Sequence, residues 1–250
     1  AMSMKYLGET FDIHCGGVDN IFPHHENEIA QSECCTGKPF VKYWLHCAHL
    51  VVEGRKMSKS LGNFFTLRDL LERGLDPMAI RWVLIATHYR QPNNFSFEAA
   101  DAAKESLRRV RDFRERLKAA RGDGDDLATR CAECEIAFQE ALDDDLNISG
   151  GLGVVFDFIR DANKLIDDGS VGAAGARNAL ALMDRLDAVT GLFGDAPEES
   201  VPRDVLDLVQ ARQDARRAKD FANADALRDQ LRGLGWVLED TPDGPRVKRG

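Results

Sequence analysis

Two lysines three residues apart carry the clearest chemical signal in this sequence. Lys56 and Lys59 lie in the segment KMSKS, with a serine between them and Gly62 shortly beyond. The ammonium group of lysine is a compact charge on a flexible stem. Two such groups on a loop of small residues suit a polyphosphate whose charge grows during phosphoryl or nucleotidyl transfer. Because most lysine-bearing loops are simply solvated, the interpretation depends on the polar residues that precede this one.

The polar residues upstream of the loop fall in two segments, HCGGVD and PHHENE. Gly16 and Gly17 would allow a ligand to approach the backbone closely. His24 and Glu28 are four residues apart on a predicted helix, so both project from one face. Imidazole and carboxylate are both zinc ligands, but a tetrahedral site needs four ligands. On spacing alone, an ordinary surface His–Glu pair is the simpler interpretation.

The elements that must position these residues form a βα unit. We expect a strand over 11–14, broken by Gly16 and Gly17, and a helix with Pro23 in its first turn that ends at Thr36 and Gly37. A second strand is predicted over 41–46, which is rich in β-forming residues. This order indicates a parallel sheet, and such sheets bind ligands at the carboxyl ends of their strands.

Helix signals follow the lysine loop. Thr66 and Asp69 have the spacing of a capping box, and Asp76 followed by Pro77 marks the start of another helix. Residues 87–95 are predicted to form a loop.

The rest of the chain is predicted to be helical, except for its end. From Ser96 onward, apolar residues recur at a spacing of three to four, which predicts an antiparallel helical bundle. The composition of 194–202 indicates a linker, and Thr241 to Gly244 indicates a turn in a terminal hairpin. The later helices are predicted over about 127–142, 152–166, 173–192, 203–217 and 222–233. The predicted fold class is therefore α/β plus all-α.

Composition excludes several classes of protein. The 250 residues are 44% hydrophobic and 30% charged, no apolar run approaches the roughly 20 residues of a membrane span, and the start lacks the pattern of a signal peptide. The net charge of −9 argues weakly against binding to nucleic acid. Residues 201–250, however, hold ten basic and nine acidic residues, so the total charge does not exclude a local basic face that binds RNA. Six cysteines, two of them adjacent, indicate reduced thiols in a cytosol. Neither Cys131 with Cys134 nor Asp143 to Asp145 has the spacing of a complete metal site, and both are interpreted as ordinary parts of a helix or its end.

Together these motifs resemble the class I aminoacyl-tRNA synthetases, and specifically the cysteinyl-tRNA synthetase family. The resemblance runs from FDIHCGGVDNIFPHHENEIAQSE through KMSKS to the tail DFANADALRDQLRGLGWVLEDTPDGPRVKRG. It implies a carboxy-terminal portion, with the HIGH motif, the first half of the nucleotide-binding fold and two zinc-binding cysteines upstream. The implied domains are the remainder of a Rossmann-type catalytic domain (1–50), a connecting domain with the KMSKS loop (51–95), a tRNA-binding helical bundle (96–193) and a small anticodon-binding domain (201–250).

The resemblance also implies roles for the nucleotide-binding residues. Lys56 and Lys59 would stabilise the triphosphate during catalysis, with Lys59 in contact with ATP. Four residues match the HGGGxD segment that contacts the adenylate: His14, Gly16, Gly17 and Asp19. Cys15 stands where glycine is usual, and Asn20 stands where an apolar residue is usual. Of the residues nearby, His25 would either face the active site or support a residue that does, Trp44 is more simply a core residue, and His46 could line the site.

The metal ligands implied by the resemblance are His24 and Glu28, with two cysteines that do not map onto this chain. Zinc prefers soft sulfur, so it would separate cysteine from serine by binding the substrate thiolate. Cys15 or Cys34 could replace the absent ligands, but no spacing argument favours either. We therefore expect an incomplete or weak zinc site.

The implied activity is that of a cysteine–tRNA ligase. Such an enzyme uses ATP to form cysteinyl adenylate and transfers cysteine to tRNA(Cys), and we expect a cytoplasmic protein that is a monomer at full length and inactive as this chain alone. Arg212, Arg216 and Arg217, followed by Lys219, could meet tRNA phosphates. Two alternatives stay open: a ligase that joins cysteine to an amino sugar, and a non-catalytic tRNA-binding remnant. The tail favours tRNA, because a small-molecule ligase needs no anticodon-binding module.

Overall fold

The computed structural model describes residues 1–124, 127–194, 203–218, 220–241 and 244–249. The chain divides into two compact units, Ala1–Asp195 and Ala196–Gly250. Each unit is considered by itself below.

The first unit opens with the predicted βα unit, preceded by a short helix. Its elements are α1 (Met2–Leu7), β1 (Phe11–Gly17), α2 (Glu26–Thr36) and β2 (Val41–Cys47). The two strands pair in parallel, from Phe11 opposite Val41 to Gly17 opposite Cys47. The parallel pairing is as predicted. One detail was wrong: β1 continues through both glycines because they pair with β2. Pro23 follows the non-helical Phe22 and lies, as expected, at the start of the helical segment, in a wide helical turn (Ile21–His25) that leads directly into α2.

A three-stranded sheet and two helices follow. They are β3 (Leu50–Val52), β4 (Arg55–Lys56), α3 (Leu67–Glu72), α4 (Pro77–Ile85) and β5 (Asn93–Phe95), with strand order β4-β3-β5. Thr66 and Asp69 form the predicted capping box, and the Asp76 side chain caps α4. The strand β5 lies where a loop was predicted. Two of its three residues are asparagines, so its own sequence gives no strand signal, and it forms through parallel pairing with β3.

Four long helices complete the first unit. They are α5 (Phe97–Ala119), α6 (Leu127–Asp143), α7 (Ile148–Asp167) and α8 (Ala173–Thr190). The predicted apolar stripe of α5 is buried, and one continuous core joins the four helices to α4 and β3. The helix α7 starts earlier than predicted, because the Asn147 side chain accepts a hydrogen bond from the Gly150 N–H and caps it. Cys131 and Cys134 are buried in α6, and burial raises the pKa of the Cys134 thiol to about 12.

The second unit is a pair of helices and a hairpin. Its elements are α9 (Arg203–Arg217), α10 (Phe221–Gly233), β6 (Trp236–Thr241) and β7 (Gly244–Arg249), and the two strands are antiparallel. Val205, Leu231 and Trp236 are among the residues of its small apolar core. All but the first residue of the predicted linker, and residues 242 and 243 of the predicted turn, lie outside the described residues.

The core is distributed unevenly within the first unit. Among residues 1–50 only His25, Ser32 and Phe40 are buried. Ile13 and Tyr43, which face each other across β1 and β2, have 56% and 65% of their surface exposed. Parallel sheets are normally covered on both faces, so this part of the chain has little apolar burial to hold it.

We predict that limited proteolysis cleaves residues 1–50 well before the bundle at 97–190. Local opening is easiest where few apolar contacts are lost, and the four helices share a continuous core. Cleavage sites would be read by mass spectrometry over a time course. First cuts inside α5, α7 or α8 would contradict the prediction.

Candidate active site

The carboxylate of Glu28 lies between two histidines. It projects from the first turns of α2, where Oε2 accepts a hydrogen bond from Nε2 of His14 at 2.6 Å. Its other oxygen, Oε1, is 3.6 Å from Nε2 of His24, whose side chain is 66% exposed. His14 was expected at the nucleotide and Glu28 at the metal. The fold joins these residues because Glu28, on α2, reaches the His14 side chain on β1.

A second pair of histidines lies beside the first. Nδ1 of His25 is 2.8 Å from Nε2 of His46, so one ring donates a hydrogen bond and the other accepts it. His25 is only 4% exposed, and this burial, followed by the charge of His14, lowers the pKa of the His25 imidazole. The ring is therefore neutral at pH 7.

Trp44 packs against both pairs. Its ring centre is 4.8 Å from those of His14 and His25, and its indole is stacked parallel to the His46 ring at 6.1 Å. Trp44 and His46 are two residues apart on β2, so they share one face of the strand. The cluster was missed from the sequence, although the alternation of large polar rings on β2 was a signal for it.

The two glycines make room for side chains of the protein itself. A Cβ on Gly16 would lie 2.6 Å from Cε1 of His25, and a Cβ on Gly17 would lie 2.4 Å from Oδ1 of Asp19. Neither distance is sterically possible without displacement. The space beside these glycines is therefore taken by His25 and Asp19, and the approach of a ligand to their backbone stays a prediction.

One group among the described residues could hold a metal ion. It consists of His14, His25 and Glu28, with one ligand atom from each and all three atoms within 4.8 Å of one another. Two imidazole nitrogens and a carboxylate oxygen fit zinc by type, and they leave a fourth position open. Glu28 is common to this group and to the expected pair with His24.

Neither cysteine considered as a replacement ligand belongs to this group. Cys15 lies on the opposite face of β1, where with Leu45 and Cys47 it lines a largely apolar cavity of about 870 Å³. Cys34 is exposed on α2. The described thiols therefore leave the count of metal ligands at three.

The side-chain amide of Asn63 makes three hydrogen bonds to the backbone in and beside the lysine loop. Nδ2 of Asn63 donates to the backbone carbonyls of Lys56 at 3.1 Å and Val52 at 3.3 Å, and Oδ1 accepts from the Ser58 N–H at 2.9 Å. Lys56 and Lys59 are both exposed, and Nζ of Lys59 lies 5.6 Å from the centre of the Phe64 ring. The loop backbone is thus fixed while both ammonium groups face solvent. Sequence reasoning missed Asn63, although asparagine after glycine is a common turn signal.

The arginines of α9 do not share one environment. Arg216 and Arg217 are exposed, but Arg212 is buried with 6% of its surface accessible. The expectation that all three contact phosphates is wrong for Arg212, because its position on α9 faces the core of the second unit. Lys219 lies outside the described residues.

We predict that replacing Asn63 by Ala loosens the lysine loop without unfolding the chain. The change removes three hydrogen bonds to the backbone, and Asn63→Asp would restore only the one from Ser58. Hydrogen exchange at the Ser58 amide would become about tenfold faster in N63A and less so in N63D. An unchanged Ser58 amide in N63A would contradict this role for Asn63.

Comparison with known families finds three matches along the chain. Residues 1–105 match the family described as tRNA synthetases class I (C) catalytic domain, residues 137–194 match the DALR domain, and residues 198–247 match the cysteinyl-tRNA ligase anticodon binding domain. These matches confirm the predicted fold class.

Individual relatives match along the whole chain. The Cysteine--tRNA ligase of Protochlamydia amoebophila (strain UWE25) is 47% identical over 254 residues, covering 100% of this chain and 53% of the relative. That of Chlamydia felis (strain Fe/C-56) is 46% identical, covering 99% and 53%. The chain thus spans about half the length of these relatives.

Among solved structures, the chain resembles the LeuRS of Agrobacterium radiobacter K84 in a ternary complex with tRNA and LeuAMS. The TM-score is 0.56 at 16% identity, over 73% of this chain and 26% of that one, which supports the fold alone. The three family matches and the identity along the whole chain show that these 250 residues are similar to about half of a class I cysteinyl-tRNA ligase.

Proposed function

We propose that this chain is the carboxy-terminal portion of a cysteine–tRNA ligase, which activates cysteine with ATP as cysteinyl adenylate and transfers it to tRNA(Cys). The observation that carries the proposal is the cluster of His14, His25, His46 and Glu28 beside the glycine end of β1. Ligands of open α/β sheets bind at the carboxyl ends of the strands, and this cluster lies there in a chain that also bears KMSKS.

The proposed nucleotide chemistry is positioning and charge stabilisation. Lys56 and Lys59 neutralise the triphosphate as the cysteine carboxylate attacks the α-phosphate, and no protein nucleophile is needed. The backbone at Gly16 and Gly17, with His14, borders the adenylate, and Asp19 accepts hydrogen bonds from ribose hydroxyls. The exposure of both lysines and the fixed backbone of their loop support this assignment.

The proposed metal is one zinc ion. Glu28 would be one ligand, and His24, as the resemblance implies, or His14 and His25, as the geometry allows, would supply nitrogen. Bound zinc would hold the cysteine thiolate and so exclude serine. His46 hydrogen-bonds to His25 and so orients that ring, and Trp44 limits the access of water to the same side chains.

The proposed macromolecular partner is tRNA(Cys). The helical bundle and the second unit would bind it, with Arg216 and Arg217 placed for phosphate contacts. The match of residues 198–247 to an anticodon binding domain supports tRNA, and not an amino sugar, as the acceptor of cysteine. In the described part of the chain no helix is both long and apolar enough to cross a membrane. A cytoplasmic location and a monomeric full-length enzyme complete the proposal.

We predict no cysteine-dependent ATP–pyrophosphate exchange by this chain alone, and exchange when it is mixed with a separate polypeptide carrying the upstream half of the Protochlamydia relative. In the mixture, Lys59→Ala should lower kcat about 100-fold, as for the loss of one donor to a developing charge. Lys104→Ala, an exposed lysine on α5, is the control and should have no effect.

Three results would count against the proposal. Exchange by the chain alone would show that the upstream parts are not needed. Exchange that proceeds equally with serine would contradict the proposed role of zinc in selecting the cysteine thiolate. No exchange in either sample, with tRNA binding retained, would favour the non-catalytic alternative.

A further inference from the structure

The connection between α6 and α7 contains a strained pair of residues. Asp145 and Leu146 have φ angles of +55° and +56°, although neither is glycine. The left-handed region is unfavourable for residues with a side chain, and it persists where surrounding contacts impose it. The contacts at this turn therefore have to hold it in place.

Besides backbone hydrogen bonds within the turn, side-chain contacts come from the loop that follows α4, residues 87–92. The Tyr89 hydroxyl donates to Oδ1 of Asp145 at 2.5 Å. The guanidinium of Arg90 donates to both carboxylate oxygens, from Nε at 2.5 Å and from Nη2 at 3.1 Å, and Nε2 of His88 is 3.9 Å from Oδ2. A bidentate, charge-assisted contact of this kind fixes both direction and distance.

The three neighbouring aspartates of this turn are not equivalent. The sequence pattern suggested that Asp143, Asp144 and Asp145 form a solvated helix end. All three are exposed, but Asp145 alone among them has side-chain partners in the described structure. The hydrogen bonds from Arg90 and Tyr89 lower the pKa of the Asp145 carboxyl to about 2, so it is ionised at neutral pH.

The same loop is bound to the end of β2. The backbone carbonyl of Tyr89 accepts a hydrogen bond from the Ala48 N–H at 2.7 Å, and the His49 carbonyl accepts from the Asn93 N–H at 3.1 Å. Ala48 directly follows β2 and is two residues from His46. Tyr89 thus contacts Asp145 through its side chain and Ala48, the residue after β2, through its backbone.

We propose that Asp145 is a positioning residue, through which the helical bundle fixes the 87–92 loop and the carboxyl end of β2 that carries His46. The consequence for catalysis rests on the proposed function, whereas the consequence for β2 does not. A shift of bundle helices α6 and α7 would be transmitted to the histidine pair in part through this carboxylate, beside the contact of Ser149 with the Ala86 carbonyl. The bundle would in this way set the geometry of the site that activates the amino acid.

The first test is amide hydrogen exchange by NMR on the 250-residue chain. Asp145→Asn removes the charge, and Asp145→Gly removes the carboxylate but suits the left-handed backbone. Both should make exchange at the Ala48 and Asn93 amides about tenfold faster. Asp144→Asn, at an exposed neighbour without side-chain partners in the described structure, should change neither.

Exchange at the Phe113 amide, in the centre of α5, reports global unfolding and separates that effect from local loosening. The proposal is overturned if Ala48 and Asn93 exchange at the native rate in D145N and D145G, or if they accelerate only in step with Phe113. It is also overturned if D145G behaves as the native chain, since Asp145 would then serve the turn alone. Tyr89→Phe removes one hydrogen bond and should give a smaller acceleration with an intact fold.

The second test uses the mixture of this chain with the upstream polypeptide. D145N should lower kcat of cysteine-dependent exchange about tenfold and leave the KM for ATP unchanged, because the described side-chain contacts of Asp145 are to His88, Tyr89 and Arg90 and none is to the lysine loop. An unchanged kcat with a loosened Ala48 amide would overturn the catalytic part of the proposal. If the unsubstituted chain mixed with the upstream polypeptide gives no exchange, the proposed function is refuted instead. The amide measurement would still decide the role of Asp145.

Discussion

The hydrogen bond between His14 and Glu28 is the interaction on which the candidate site depends. An ionised carboxylate only accepts, so Nε2 of His14 must carry the proton at 2.6 Å. This contact joins β1 to α2. It lies on the same face of the two-stranded sheet as Trp44 and His46 of β2. The same carboxylate is a ligand in both arrangements considered for the metal. The choice of glycine at position 16 follows from this packing, because a methyl group there would displace His25.

Patterns within a few residues predicted most of the helices and strands. Features that depend on contacts between residues far apart in the sequence were not predicted. The capping box at Thr66 and the apolar stripe of α5 are coded within a few residues, so both were predicted correctly. The strand β5 has no such local signal, since it pairs with β3 between residues 43 positions apart. Arg212 shows the same limit: a cluster of arginines on one helix indicates a basic surface, but packing around α9 buries one of them.

The candidate site was partly visible in the sequence. Its glycines, histidines and lysines were all identified, because their types and spacing match one family. Their partners were not. Nothing in the spacing of His14 and Glu28, fourteen residues apart, indicates a shared hydrogen bond, and the role of Asn63 as the support of the lysine loop follows only from its three contacts. Asp145 was similarly hidden among three aspartates.

The most direct test of this account is the imidazole ¹⁵N spectrum of the chain near pH 7. The account predicts that His14 carries its proton on Nε2, that this proton exchanges slowly with water, and that Glu28→Ala abolishes the slow exchange. Glu26→Ala, an exposed carboxylate one half-turn away, should leave the His14 signals unchanged. A His14 ring protonated on Nδ1 alone, or one indifferent to Glu28→Ala, would contradict the account.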